Sequence, residues 1–235
     1  LESSNRAPHM GRGRHYTHAI PPIQRLRRRG RTSLSWRKKT ISVIRLFVHG
    51  ACATPALLLL AGWFNNRLGV DPEKTLIWES GIWTFNLLLV VLLLPIVANW
   101  TQWPTLHRYR RAVGLWTFSY ATCHFLFFIT FLLGWDLARL GEELQERPYI
   151  VFGFSAWLIL VAMAATSNRA AIRWLRKKWR VLHLWVYAAA GLAAIHYLLM
   201  VRSHYGWAGT YAGIVILLIT ARFIRVRKRQ TARGG

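Results

Sequence analysis

Long apolar runs without a charged side chain alternate with short polar segments along this chain. Six runs reach or approach the length of a membrane span: 46–66, 80–107, 112–135, 148–168, 181–201 and 203–221. An α-helix rises about 1.5 Å per residue, so about 20 apolar residues cross a hydrocarbon core of about 30 Å. The polar end of the second run predicts that its spanning part stops near 95–98. The pattern therefore predicts an all-α integral membrane protein, built as a six-helix transmembrane bundle.

Charge is divided unequally between the two sets of connectors. The N-terminal tail and segments 108–111, 169–180 and 222–233 hold 27 of the 32 Lys and Arg residues, whereas seven of the eight acidic residues lie in or beside the other connectors. Lys and Arg in short loops are retained on the cytoplasmic side, so both termini are expected in the cytoplasm. Orientation and anchoring to membrane lipid explain the net charge of +24. Nucleic-acid binding is not expected, because no aromatic-interleaved basic fold accompanies the basic run 25–31.

The transmembrane domain is predicted over residues 41–224. Residues 1–40 are basic and interrupted by prolines, which is typical of a disordered cytoplasmic tail, and residues 1–10 are interpreted as expression-derived. Residues 225–235 form a second basic tail. No internal repeat or glycine-rich nucleotide loop is apparent, and the 14 residues after Ala221 are too few for a βαβ nicotinamide-binding unit. Reducing equivalents are therefore expected from a separate partner or a lipid-soluble donor.

Four histidines fall inside the predicted spans: His49, His124, His183 and His196. Ionisable side chains in spanning helices are rare and usually functional. His124 lies 13 residues beyond Arg111 and His196 lies 16 residues beyond Arg180, which puts them about 20 and 24 Å along helices that run outward from the cytoplasm. The two imidazoles are expected in one layer, where they could bind one haem iron from opposite faces.

His183 precedes His196 by 13 residues, about 20 Å nearer the cytoplasm on the same predicted helix. This depth suits a second redox centre, although an ideal helix turns the two rings about 140° apart. His49 is the best-placed inner partner, with His107 behind it. The sequence thus predicts one haem, or two if His183 finds a partner, held without covalent attachment because no Cys-x-x-Cys-His motif occurs. The alternative is that these histidines are neutral hydrogen-bonded groups, or line a polar path in a small non-redox transporter.

Several motifs resemble the MsrQ family, also called YedZ. The stretch RKKWRVLHLWVY, from Arg176 through His183, is followed by AAIHYL, which contains His196. GVDP from Gly69, RRAVGLW from Arg110, YATCH ending at His124, RPY from Arg147 and TS at 166–167 agree in order and spacing. The resemblance covers residues 45–225. The chain differs from the family at Trp78-Glu79-Ser80, where some relatives carry a histidine, and no flavin motif can be carried over.

The resemblance implies a ferric-reductase-like transmembrane protein of the bacterial inner membrane that binds haem b and also FMN. Its haem ligands carry over to His124, His183 and His196. It implies an electron-transfer subunit, rather than a stand-alone catalyst, that passes electrons to MsrP, a periplasmic molybdopterin enzyme that reduces methionine sulfoxide in oxidised proteins. The donor would be a cytoplasmic flavin reductase or a quinol. A ferric or quinone-linked reductase on the same scaffold is the alternative function.

Overall fold

The computed structural model describes residues 23–203 and 205–234. The chain divides into two units, residues 1–43 and 44–235, and the core and the cavities described below belong to the second. The helices are α1 (Ile23–Phe64), α2 (Pro72–Trp100), α3 (Arg110–Phe127), α4 (Leu137–Glu146), α5 (Pro148–Ala165), α6 (Arg169–Leu175), α7 (Lys177–Leu182), α8 (Val186–Met200) and α9 (Gly206–Gly234). A 3₁₀ turn, Pro104–Arg108, precedes α3, and a π-helical segment, Phe128–Leu133, extends it.

Six helical stretches are long and apolar enough to cross a membrane. They are Val43–Phe64, Pro72–Trp100, Pro104–Leu133, Pro148–Ala165, Lys177–Met200 and Gly206–Lys228. No strand occurs among the described residues. The prediction of an all-α protein with six spans is therefore confirmed.

The second span begins at Pro72, eight residues before the predicted run. Asp71 caps this helix by accepting a hydrogen bond from the backbone N–H of Lys74, and Pro72 stands at the first helical position, where its missing N–H costs nothing. Hydrogen bonds from Lys74 also lower the pKa of the Asp71 carboxyl. A search for charge-free runs misses this start because the first turns of the helix carry charged residues.

The two predicted tails are partly helical. Residues 1–22 lie outside the described residues, but α1 already begins at Ile23, within the predicted tail 1–40. No proline follows Pro22 in that stretch, and Arg and Lys are good helix formers. At the other end α9 continues to Gly234. The predicted boundaries at residues 40 and 224 therefore do not coincide with helix ends.

The core lies where α2, α3, α5, α8 and α9 meet. α2 packs on α3, α8 and α9, and α8 packs on α5 and α9. Leu88 and Leu92 of α2 and Val186 of α8 are almost completely buried, and Ala189 and Ala190 are fully buried beside them. Small residues let helix backbones approach closely in a membrane, where packing rather than the hydrophobic effect holds helices together.

Candidate functional site

His124 of α3 lies against a turn of α2. Its Nδ1 is 2.8 Å from the carbonyl oxygen of Ile77, and the Ser80 hydroxyl is 3.5 Å from the same nitrogen. Because a carbonyl oxygen only accepts, Nδ1 carries the proton and donates it. In the neutral imidazole, Nε2 is then the unprotonated nitrogen of His124.

His196 of α8 is held in the same manner by α5. Its Nδ1 is 2.6 Å from the carbonyl oxygen of Tyr149, so this imidazole also donates from Nδ1 and keeps an unprotonated Nε2. Metal-binding histidines commonly donate their other N–H to a carbonyl, which fixes the tautomer and the orientation of the ring. Both histidines therefore have the tautomer that a metal ligand bound through Nε2 requires.

The two imidazoles face one another across a single cavity. Their ring centroids are 6.3 Å apart and their planes are nearly perpendicular, at 82°. The cavity has a volume of about 470 Å³, within the range of small-molecule and cofactor sites. Apart from Lys74 and the two histidines its lining is almost entirely apolar, with aromatic walls supplied by Phe85, Phe125, Phe128, Phe154 and Trp157.

This arrangement could supply two imidazole ligands to one metal atom. A metal–imidazole bond is about 2.0–2.1 Å long, and the ring centre lies about 1.1 Å beyond the nitrogen. Two imidazoles that both bound one metal atom would therefore have centroids up to roughly 6 Å apart, and the observed separation is 6.3 Å. Within the described part of the chain no group of three His, Cys, Asp or Glu side chains could hold a metal ion alone. A metal here needs further ligands from a cofactor.

His183 lies apart from this pair, at the basic end of the bundle. The helix is interrupted after α7, and His183 occupies the turn before α8. Its ring stacks on Trp179 with 3.9 Å between centroids, and its Nδ1 is 3.1 Å from the Trp179 carbonyl oxygen. The Trp179 indole in turn donates to the carbonyl of Thr166. In the neutral form of His183, Nε2 is again the unprotonated nitrogen.

His183 borders a second cavity of about 470 Å³ whose charged lining is entirely cationic. Its basic residues are His107, Arg110, Arg111, Arg180, His183 and Arg222. The three ion pairs within the described ranges use Asp71, Asp136 and Glu143, so none of these arginines is paired with a carboxylate there. The second cavity is therefore suited to an anionic group.

Leu88 and Leu160 border both cavities, so these two side chains separate them.

The structure does not bring His49 to His183. The indole N–H of Trp116 donates to Nδ1 of His49 over 2.9 Å, and His49 borders neither cavity. Because indole only donates, His49 carries its proton on Nε2, the opposite tautomer from the other three histidines. Of the two inner partners predicted for His183, only His107 lies on the same cavity.

Sequence reasoning missed the glycines beside the paired histidines. A Cβ atom on Gly81 would lie 3.0 Å from Cε1 of His124, and a Cβ on Gly153 would lie 2.7 Å from Nδ1 of His196. No pattern in the sequence marked Gly81 or Gly153 as a contact of a histidine. Arg110 and Arg222, which line the cavity that His183 borders, were not predicted as binding residues.

One family model matches part of the chain. The family model described as ferric reductase like transmembrane component matches residues 80–194. The match contains His124 and His183 and ends two residues before His196. No solved structure matches the chain.

Proposed function

We propose, from the ferric-reductase-like transmembrane domain that the chain contains, that this protein is a haem b electron-transfer subunit of the bacterial inner membrane. The observation that carries the proposal is the pair His124 and His196. Their centroids are 6.3 Å apart across an apolar cavity, and each donates Nδ1–H to a backbone carbonyl. The family match supports transmembrane electron transfer in general.

The residues of the first cavity fit a haem. Two neutral imidazoles suit its iron, aromatic and aliphatic walls suit its macrocycle, and the macrocycle supplies the further ligands that the protein lacks. When bound, haem supplies an iron that accepts and releases one electron. The protein holds both imidazoles in the required tautomer, and the apolar lining excludes water from the site.

The second cavity supports the proposal of a second cofactor. His183 offers one unprotonated nitrogen, and the arginines around it offer hydrogen-bond donors to an anion. A haem propionate and the phosphate of FMN both meet that requirement, so the second haem and the FMN implied by the family resemblance compete for this cavity. Electrons would pass from it to the first cavity across Leu88 and Leu160.

The partner is proposed from the family resemblance. We infer that electrons enter at the basic end, which the charge distribution predicts to be cytoplasmic, from a flavin reductase or a quinol. They leave at the opposite end to a periplasmic methionine-sulfoxide reductase of the MsrP type. The protein is thus an electron carrier for the repair of oxidised proteins rather than a catalyst by itself.

Optical spectroscopy of the full chain purified in detergent tests the haem. A Soret band and a pyridine-haemochrome assay should give one haem per chain, or two if the second cavity is also a haem site. His124→Ala and His196→Ala should each abolish the low-spin signal of the first haem. His49→Ala is the matched control. It also removes an imidazole from a spanning helix, but the side chain of His49 borders neither cavity. Protein without a Soret band would refute the proposal.

Electron delivery discriminates between the candidate functions. Chemically reduced protein in liposomes should be reoxidised by an MsrP-type enzyme together with methionine sulfoxide. Reoxidation by a ferric chelate or a quinone, with none by the molybdoenzyme, would favour the alternative of a ferric or quinone-linked reductase. Haem-free protein that conducts a solute would favour the non-redox transporter.

A further inference from the structure

The two helix pairs that hold His124 and His196 repeat one arrangement. His124 donates to the carbonyl of Ile77, four residues before Gly81, and His196 donates to the carbonyl of Tyr149, four residues before Gly153. In both cases the imidazole also lies directly against the glycine. The repeat concerns only this contact and is not apparent as a repeat in the sequence.

The geometry of an α-helix explains why glycine occupies both positions. The carbonyl of residue i accepts the backbone N–H of residue i+4, so the carbonyls of Ile77 and Tyr149 belong to the turns that end at the two glycines. A Cα–Cβ bond tilts toward the N-terminus of its helix, so a side chain covers the turn before it. Any side chain at residue i+4 would therefore obstruct a ring that approaches this carbonyl from outside.

We propose that Gly81 and Gly153 are positioning residues, whose missing side chains let the two histidines reach these carbonyls. The inference rests on the proposed function only in assigning the positioned rings to haem. Each glycine leaves room for the hydrogen bond from the Nδ1–H of its histidine to the carbonyl of the neighbouring helix. That bond orients the ring and leaves Nε2 without a hydrogen-bond partner among the described residues. The glycines act through the histidines and contact no cofactor in the proposal.

The two contacts are unequal, which gives the proposal a graded prediction. A Cβ at Gly153 would lie 2.7 Å from the hydrogen-bonded nitrogen of His196, and the ring must move to make room. A Cβ at Gly81 would lie 3.0 Å from Cε1 and 3.1 Å from Nδ1 of His124, so a shift of a few tenths of an ångström suffices. Gly153→Ala should therefore be the more damaging substitution.

The experiment compares Gly153→Ala and Gly81→Ala with Gly191→Ala in the full chain. Gly191 lies in α8, the helix of His196, and a Cβ there would meet nothing within 4 Å. Glycine to alanine within a helix favours the helix, so a loss confined to the first two variants must come from the contact with the ring. Haem affinity should fall about 10- to 100-fold in Gly153→Ala, as for other outer-shell partners of metal ligands. It should fall less in Gly81→Ala and be unchanged in Gly191→Ala.

Two spectroscopic measurements separate positioning from a general loss of structure. Electron paramagnetic resonance should detect conversion of low-spin to high-spin iron in Gly153→Ala at unchanged helix content. In reduced protein labelled with ¹⁵N-histidine, the signal of the hydrogen-bonded Nδ1–H of His196 should shift in Gly153→Ala and persist in Gly191→Ala. This nitrogen measurement requires no haem, so it tests the glycines even if the parent protein has no Soret band and the proposed function fails.

Unchanged spin state, haem affinity and ¹⁵N spectrum in Gly153→Ala would overturn the inference. An equal loss in Gly191→Ala would do the same, because the effect would then come from any alanine in the bundle. If Gly153→Ala does not accumulate in the membrane, the milder Gly81→Ala decides by the corresponding signals of His124.

Discussion

The hydroxyl group of Tyr120 connects α3 to the proline-containing part of α1. It donates to the carbonyl of Cys52 over 2.8 Å and accepts from the N–H of Ala56 over 2.8 Å, so it sits at the helical step that spans Pro55. Proline has no N–H and its ring obstructs the turn before it. Carbonyl and N–H groups near the proline therefore lose their partners within the helix, and in a membrane they must find partners from neighbouring helices. Tyr120→Phe removes this partner and keeps the aromatic ring.

The structure gives the expected size of the loss. Tyr120 is only 4% exposed, so water does not readily replace its hydroxyl. Hydrogen bonds between transmembrane helices average about 0.6 kcal/mol and reach about 1.7 kcal/mol. The loss of two such bonds should lower the free energy of unfolding by about 1–3 kcal/mol. Tyr109→Phe is the matched control, because the Tyr109 hydroxyl is also buried but has no hydrogen-bond partner among the described residues. It has no bond to lose.

Unfolding in mixed micelles of rising dodecyl sulfate content, followed by circular dichroism, measures both variants. Tyr120→Phe should unfold at a lower dodecyl sulfate fraction than the parent, whereas Tyr109→Phe should unfold with the parent or above it. Equal stability of Tyr120→Phe and the parent would refute the reasoning, as would an equal loss in both variants.

Three further predictions concern the two cavities and the core. His183→Ala should keep the low-spin signal of the first haem and lose any second haem or bound flavin. Complete loss of haem in the haemochrome assay would contradict two separate sites. Leu88→Ala should lower the free energy of unfolding by about 2–5 kcal/mol in the same micelle titration, because Leu88 is 1% exposed between the cavities. A loss below about 1 kcal/mol would contradict this prediction. The hydroxyl of Tyr211 donates to Asn86 over 2.7 Å, so a double-mutant cycle of Asn86→Leu with Tyr211→Phe should give a coupling of about 0.6–1.7 kcal/mol, whereas additive effects would argue against the bond.

The six spans could be predicted because the property that creates them is local. A helix in lipid satisfies its own backbone hydrogen bonds, so composition along one segment determines whether it spans. The ends of the spans were less predictable. The cap at Asp71 and the charged first turns of α2 extend a span beyond its charge-free run. The amphipathic α4, capped by Asp136, lies between the runs 112–135 and 148–168 and was not predicted as a helix.

Depth along a helix could also be predicted, because it depends only on residue counts. The counts put His124 and His196 in one layer, and the structure brings their rings to 6.3 Å. The angle calculated between His183 and His196 assumed one straight helix, but the chain turns at His183 between α7 and α8. His49 was placed by depth as well, yet it accepts a hydrogen bond from Trp116 and borders neither cavity.

The sequence by itself determined the number of spans, the segregation of charge and the layer that His124 and His196 share, since each follows from one helix at a time. Only the tertiary structure decided which ring faces which neighbour. That choice depends on the rotation of packed helices and on contacts between residues far apart in sequence, such as Gly153 with His196 and Tyr149 with His196. Such contacts leave no trace in the hydropathy of either helix. A glycine beside an imidazole and a glycine that faces open space have the same hydropathy.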